Sequence, residues 1–159
     1  MIEGGDGNDE IYGRRGKDSL YGEDGDDSLY GQKGADLLVG GDGNDKLVGG
    51  KGKDTLIAGT GTDHLWGGSY AADGASDVFV FGDGDGKNYV HDFEIGLDQI
   101  DLSDLATDWN AVSSAMQDQS WATYIDMAQI GGITGDKLYL VGVETAQLTA
   151  ADFDFGAVA

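Results

Sequence analysis

Aspartate recurs on a fixed spacing, and that spacing is what could do chemistry. Asp9, Asp18, Asp27, Asp36, Asp45, Asp54 and Asp63 stand nine residues apart. Each is followed by one variable residue and then an aliphatic one: Ile11, Leu20, Leu29, Leu38, Leu47, Leu56 and Leu65. Each is preceded, two residues earlier, by glycine: Gly7, Gly16, Gly25, Gly34, Gly43, Gly52 and Gly61. Short carboxylates at turn positions are oxygen ligands for hard cations such as calcium. The competing use of the same residues is the Asx turn, which accounts for one aspartate per turn but not for stacking them without compensating charge.

The columns define seven contiguous nonamers from Gly4 to Trp66, each a six-residue turn followed by a three-residue strand. Three residues bury nothing alone, but stacked copies bury a continuous core. Two nonamers make one coil, with a strand on each side and a turn at each edge. Successive coils then lie about 4.8 Å apart, the spacing of paired strands. The aliphatic residue at position eight points inward. Position nine, which includes Tyr12, Tyr21, Tyr30 and Trp66, covers the outer faces. The expected fold class is all-β: a right-handed parallel β-roll with a C-terminal mixed capping region that contains one short helix.

In this arrangement each carboxylate lies one coil from the next on its own edge, so like charges stack unless a cation lies between them. Aspartate oxygens and turn carbonyls together supply the six or so oxygens that calcium takes. The carbonyl donors expected are those of Gly5, Gly7, Gly16, Gly25, Gly34, Gly41, Gly43, Gly50, Gly52, Gly59 and Gly61. Seven turns leave five intact gaps, and a degenerate eighth turn carrying Asp77 adds a sixth, so about five to six calcium ions are expected. Magnesium fits poorly, because it keeps its waters and demands octahedral geometry. In the tail, Asp83, Asp85, Asp92, Asp98 and Asp101 read better as solvated loop than as another site.

Composition agrees. The 159 residues carry 30 acids, 25 of them Asp, against 9 Lys and Arg, a net charge of −21. Five divalent ions would bring that to −11. Such charge argues against nucleic acid as a partner. Cysteine is absent, which rules out disulfides and thiolate metal sites. No stretch is long and apolar enough to span a membrane, and no N-terminal signal peptide is visible. Enzyme constellations are missing too: neither HExxH nor GxSxG occurs, and His64 and His91 read as structural.

Position three differs between the edges. Odd copies carry Asp6, Asp24, Asp42 and Thr60; even copies carry Arg15, Lys33 and Lys51, with Arg14, Lys17 and Lys53 beside them. One edge is therefore acidic and the other bears a cation on every coil. That stripe either offsets local Asp charge or tracks an anionic polysaccharide.

The organisation expected is a β-roll over residues 1–81 and a capping region over 82–159. Met1-Ile2-Glu3 fit positions seven to nine of a preceding copy, which suggests a piece of a longer array. Val78–Phe81 reads as the strand that leaves the roll. A helix capped near Thr107 should place Trp109, Val112 and Met116 on one face, with strands near residues 124–127 and 138–141.

The nonamers resemble the GGxGxDxUx repeat of the RTX family, where U is a large apolar residue. The resemblance covers residues 4–66 closely and 67–81 loosely. Ala58 replaces the first glycine of copy seven, and copies two, three and four lack the second. The segment YVHDFEIGLDQIDLSD and the stretch from Gly135 through Phe153 are similar to the C-terminal parts of serralysin-type proteases and secreted lipases. Mannuronan epimerases carry modules of this size. The resemblance implies a calcium-binding module of a larger protein, which the missing catalytic constellations mark as non-catalytic and which is expected to be monomeric. It further implies export by the type I secretion apparatus through an uncleaved C-terminal signal, here the Asp152–Phe155 region, and folding outside the cell. A polysaccharide-binding module and a structural part of an adhesin are the other readings.

Overall fold

The computed structural model describes residues 1–105, 107–130 and 135–156. The repeats form two facing stacks of parallel strands. One stack contains β1 (Ile2–Asp6), β3 (Ser19–Asp24), β5 (Leu37–Gly43) and the first part of β7 (Thr55–Trp66). The other contains β2 (Glu10–Arg15), β4 (Ser28–Lys33), β6 (Lys46–Lys51) and the last part of β7. Each strand pairs with the copy 18 residues on, so Leu20 lies against Leu38 and Leu38 against Leu56. On the other side Ile11, Leu29, Leu47 and Leu65 form the matching ladder. Leu20, Leu29, Leu38, Leu47, Leu56 and Leu65 are wholly buried, which is why position eight is invariably aliphatic.

The stacking does not stop with the repeats. Val78–Val80 (β8) was expected to leave the roll, but it pairs in parallel with β7 on one side and with Gln99–Asp101 (β10) on the other. Phe153–Asp154 (β14) then adds to β10. The buried ladder Leu56–Phe79–Ile100–Phe153 is thus unbroken. The opposite stack continues through Gly86–Val90 (β9) and Lys137–Val141 (β13), with Val90 and Leu140 following Leu65 inward. Pairing therefore runs across residue 81 on both sides.

Among the described strands, two turn over. Ala122–Asp126 (β12) and Met116–Asp118 (β11) pair antiparallel, ending that stack. The helix, α1 (Trp109–Ala115), starts one residue later than expected: Asp108 is the cap, and its carboxylate accepts from the Ala111 N–H at 2.9 Å. Val112 and Ala115 are buried, and Trp109 and Met116 pack at the core's margin. The helix covers apolar residues at the end of the roll, the closure that stacked repeats require.

Candidate metal centre

The turns are built from left-handed residues at positions two and four. Position four is glycine in every copy, with φ from 104° at Gly7 to 155° at Gly34. A side chain at Gly34 would overlap the Gly16 carbonyl of the preceding coil, so no other residue fits there. Position two is left-handed even where glycine is missing: Arg14 and Glu23 have φ of 78° and Gln32 of 74°. Each such residue costs about 1–2 kcal/mol, which the stacked turn must offset. Gly5, Gly41, Gly50 and Gly59 hold the same conformation without that cost.

These turns bring the Asp columns into two ladders. Asp27 Oδ1 accepts from the Asp9 N–H at 2.7 Å, Asp45 from Asp27 and Asp63 from Asp45, both at 2.8 Å. On the other edge Asp36 Oδ1 accepts from Asp18, Asp54 from Asp36 and Asp77 from Asp54 at 2.7–2.8 Å. Asp98 then continues that ladder by accepting from the Asp77 N–H at 2.9 Å. From Asp27 on, one carboxylate oxygen of each aspartate thereby ties its coil to the one before.

The second oxygen has no such use. Oδ2 of Asp9, Asp18, Asp27, Asp36, Asp45, Asp54 and Asp63 is buried and accepts no hydrogen bond. It sits against the position-one residue of its own turn: a Cβ on Gly4 would come within 2.7 Å of Asp9 Oδ2, and one on Gly31 within 2.6 Å of Asp36 Oδ2. The position-four carbonyls of Gly7, Gly16, Gly25 and Gly34 likewise accept nothing among the described residues. An unpaired buried carboxylate oxygen is costly, and seven in register are not sustained by Asx-turn chemistry. Two carboxylates and free turn carbonyls on each gap fit a hard, oxygen-seeking divalent cation. No cluster of three or more His, Asp or Glu side chains forms among the described residues, so backbone carbonyls must complete any such shell.

Without a cation the ladder is electrostatically stressed. Burial pushes Asp45 and Asp54 up to about 6 and Asp63 and Asp77 up to about 7, and the like charge one coil away adds to it. The backbone N–H on Oδ1 opposes the shift only in part.

Tail aspartates behave differently. Asp92 accepts from the Gly67 and Gly68 N–H groups, Asp136 from Gly84 and Gly86, and Asp152 from Gly96 and Thr149, at 2.8–3.2 Å. Asp98 uses its second oxygen on the Glu94 N–H at 2.8 Å. Asp85 accepts from Gly82 and Asp101 from Ser103, while Asp83 is exposed. Backbone donors do for these groups what the repeats leave undone. The closing roles of Asp136 and Asp152 are absent from the sequence reading. A signal for the Asp98 turn was present: Gly96, Asp98 and Ile100 repeat the spacing of positions four, six and eight.

The basic stripe also exists. Arg15, Lys33 and Lys51 are register partners on successive coils, all exposed, and with Arg14, Gln32 and Ser69 they line an open groove of about 360 Å³. Lys17 and Lys53 are exposed on the same turns, and Asp6, Asp24, Asp42 and Thr60 form the acidic counterpart. His64 and His91 pair through Nδ1 and Nε2 at 2.8 Å inside an aromatic stack with Trp66, Tyr89 and Tyr139. No described helix is long and apolar enough to cross a membrane.

Comparison with known proteins agrees with this geometry. Residues 3–38 and 39–69 match the family model of the RTX calcium-binding nonapeptide repeat. No curated protein matches the chain. Among solved structures, the AlgE6R2 subunit of the mannuronan C5-epimerase from Azotobacter vinelandii is 25% identical, with a TM-score of 0.51 over 99% of this chain and 94% of that one. The AlgE6R3 subunit of that enzyme is 28% identical, with a TM-score of 0.43 over 98% of this chain and 82% of that one. The extracellular lipase LipA from Serratia marcescens is 16% identical, with a TM-score of 0.45, and the match covers 94% of this chain and 38% of the lipase. The ladders, the left-handed turns and the family match agree: residues 3–69 belong to the RTX calcium-binding nonapeptide repeats.

Proposed function

We propose that the chain is a monomeric, non-catalytic module that folds around calcium outside the cell and stabilises a larger secreted protein. The row of seven orphaned Oδ2 atoms carries this reading. Calcium would lie in the gaps between successive turns, held by the Asp9–Asp63 columns, by Asp77 and by the position-two and position-four carbonyls. The ion supplies positive charge to paired carboxylates; the chain supplies a rigid, dry cradle. The tail over residues 82–159 would close the roll and carry the type I secretion signal near Asp152–Phe155. In titration calorimetry the full chain should bind five or six calcium ions per molecule at the turns from Gly4 through Asp77, before any position beyond them is counted. Fewer than four, or equal heat with magnesium, would sink the assignment.

The Arg15–Lys33–Lys51 ladder favours a second reading, binding of an anionic polysaccharide such as an alginate-like uronan. The repeat of one cation per coil suits a polymer with one carboxylate per sugar. Replacing all three with Gln should abolish retention on an immobilised polyuronate while leaving calcium binding intact. Unchanged retention would show that the stripe only offsets local acid.

A further inference from the structure

We infer that one more divalent-cation position lies beyond the matched repeats, between the turns Ala58–Asp63 and Asp83–Asn88, with Asp63 and Asn88 as its side-chain donors. The inference rests on reading the repeat turns as cation sites. The backbone of residues 83–88 reproduces a repeat turn although its sequence does not. Gly84 and Gly86 are left-handed, with φ of 94° and 79°, as positions two and four are throughout. The Gly61 N–H donates to the Asp85 carbonyl at 3.2 Å, the same bond that Gly25 makes to Asp42 at 2.8 Å. The Gly61 carbonyl points at Gly86 as the Gly43 carbonyl points at Gly61, so closely that a Cβ on either glycine would overlap it. Asn88 is the register partner of Asp63, and Val90 continues the position-eight ladder from Leu65.

Two orphaned oxygens occupy these partnered residues. Asp63 is wholly buried and its Oδ2 accepts nothing; Asn88 is 3% exposed and its Oδ1 accepts nothing. The Asn88 amide nitrogen faces the Asp85 carbonyl at 3.4 Å, which fixes the amide so that the unpaired atom is the oxygen. An amide oxygen is a competent calcium ligand without charge. Asn at 88 also avoids stacking another buried carboxylate near Asp63, Asp85 and Asp136. One carboxylate fewer makes this the weakest of the positions.

The test is calcium titration calorimetry of the full chain and its Asn88→Asp and Asn88→Leu variants, with circular dichroism of each in saturating calcium. Asn88→Asp should tighten the weakest step by about tenfold, as ligand charge sets affinity in oxygen sites. Asn88→Leu should lose one ion per chain and keep the other steps. If Asn88→Leu fails to fold, the Asp variant alone decides. Unchanged stoichiometry and affinities would overturn this site while leaving the repeat sites standing, and would mean that the Asn88 oxygen serves a buried water. A parent chain that binds no calcium would overturn the repeat reading and this inference together.

Discussion

Chelated protein, titrated with calcium, gains its β-sheet signal in far-ultraviolet circular dichroism in one cooperative step, while magnesium at equal concentration leaves it unfolded. The reason is local to each coil. Each nine-residue copy buries little more than one aliphatic side chain, too little to offset its backbone entropy. Against that small gain stand left-handed Arg14, Glu23 and Gln32 and the orphaned oxygens. Two ionised carboxylates about one coil apart repel by roughly 3 kcal/mol at the effective dielectric of a protein site. A cation between them reverses the sign of that term, and because each inner turn borders two gaps, the coils gain order together. Metal-binding free energy is then folding free energy. A full β signal in chelator, unmoved by calcium, would reduce the Asp columns to turn chemistry and remove the basis for folding on export.

Acid should substitute in part for the metal. At pH 7 the calcium-free chain lacks structure that it regains near pH 5, and calcium binds more weakly there. Burial lifts Asp45, Asp54 and Asp98 to about 6 and Asp63 and Asp77 to about 7 in the folded form. In the unfolded chain an aspartate titrates near 3.9. Between these values the folded state holds more protons, so stability is fully present below about 4 and is lost as pH rises through 6 to 7. His64 and His91 act in the opposite sense. Burial lowers both, His91 to about 4, so their contribution is present above about 6.5 and falls as pH drops. These five, with Asp27, Asp36, Asp85 and Asp92 also raised by burial, outnumber the two lowered imidazoles and the lowered, exposed Asp26 and Asp118, and the net change favours folding on acidification. Protons compete with calcium for the same oxygens, so the calcium dissociation constant should rise by up to about tenfold per pH unit for each proton displaced. Thermal melts in chelator at pH 7 and pH 5, with calcium titrations at both, measure the two effects. A chelated chain less stable at pH 5 than at pH 7 would show that the imidazoles dominate.

Within the repeats the sequence was legible down to single columns. Position eight had to be aliphatic because it faces the core, position four had to be glycine because from the second coil on the previous coil's carbonyl lies where a Cβ would go, and position six had to close the turn. A period of 18 residues makes every copy its own register marker. Past Trp66 that marker vanishes. Phe79, Ile100 and Phe153 extend one ladder at separations of 23, 21 and 53 residues, and Val90 and Leu140 extend the other at 25 and 50. A parallel strand can take its neighbour from any distance along the chain, so no local pattern announces it. The sequence likewise named the Asp columns but not the fate of each oxygen. Asp63 and Asp98 stand at equivalent places in their turns, yet only Asp98 has a backbone N–H, from Glu94, on its second oxygen. Residue type and spacing determined where carboxylates stack; which of them remain unpaired, and so call for a cation, was decided by how neighbouring backbone donors close around them.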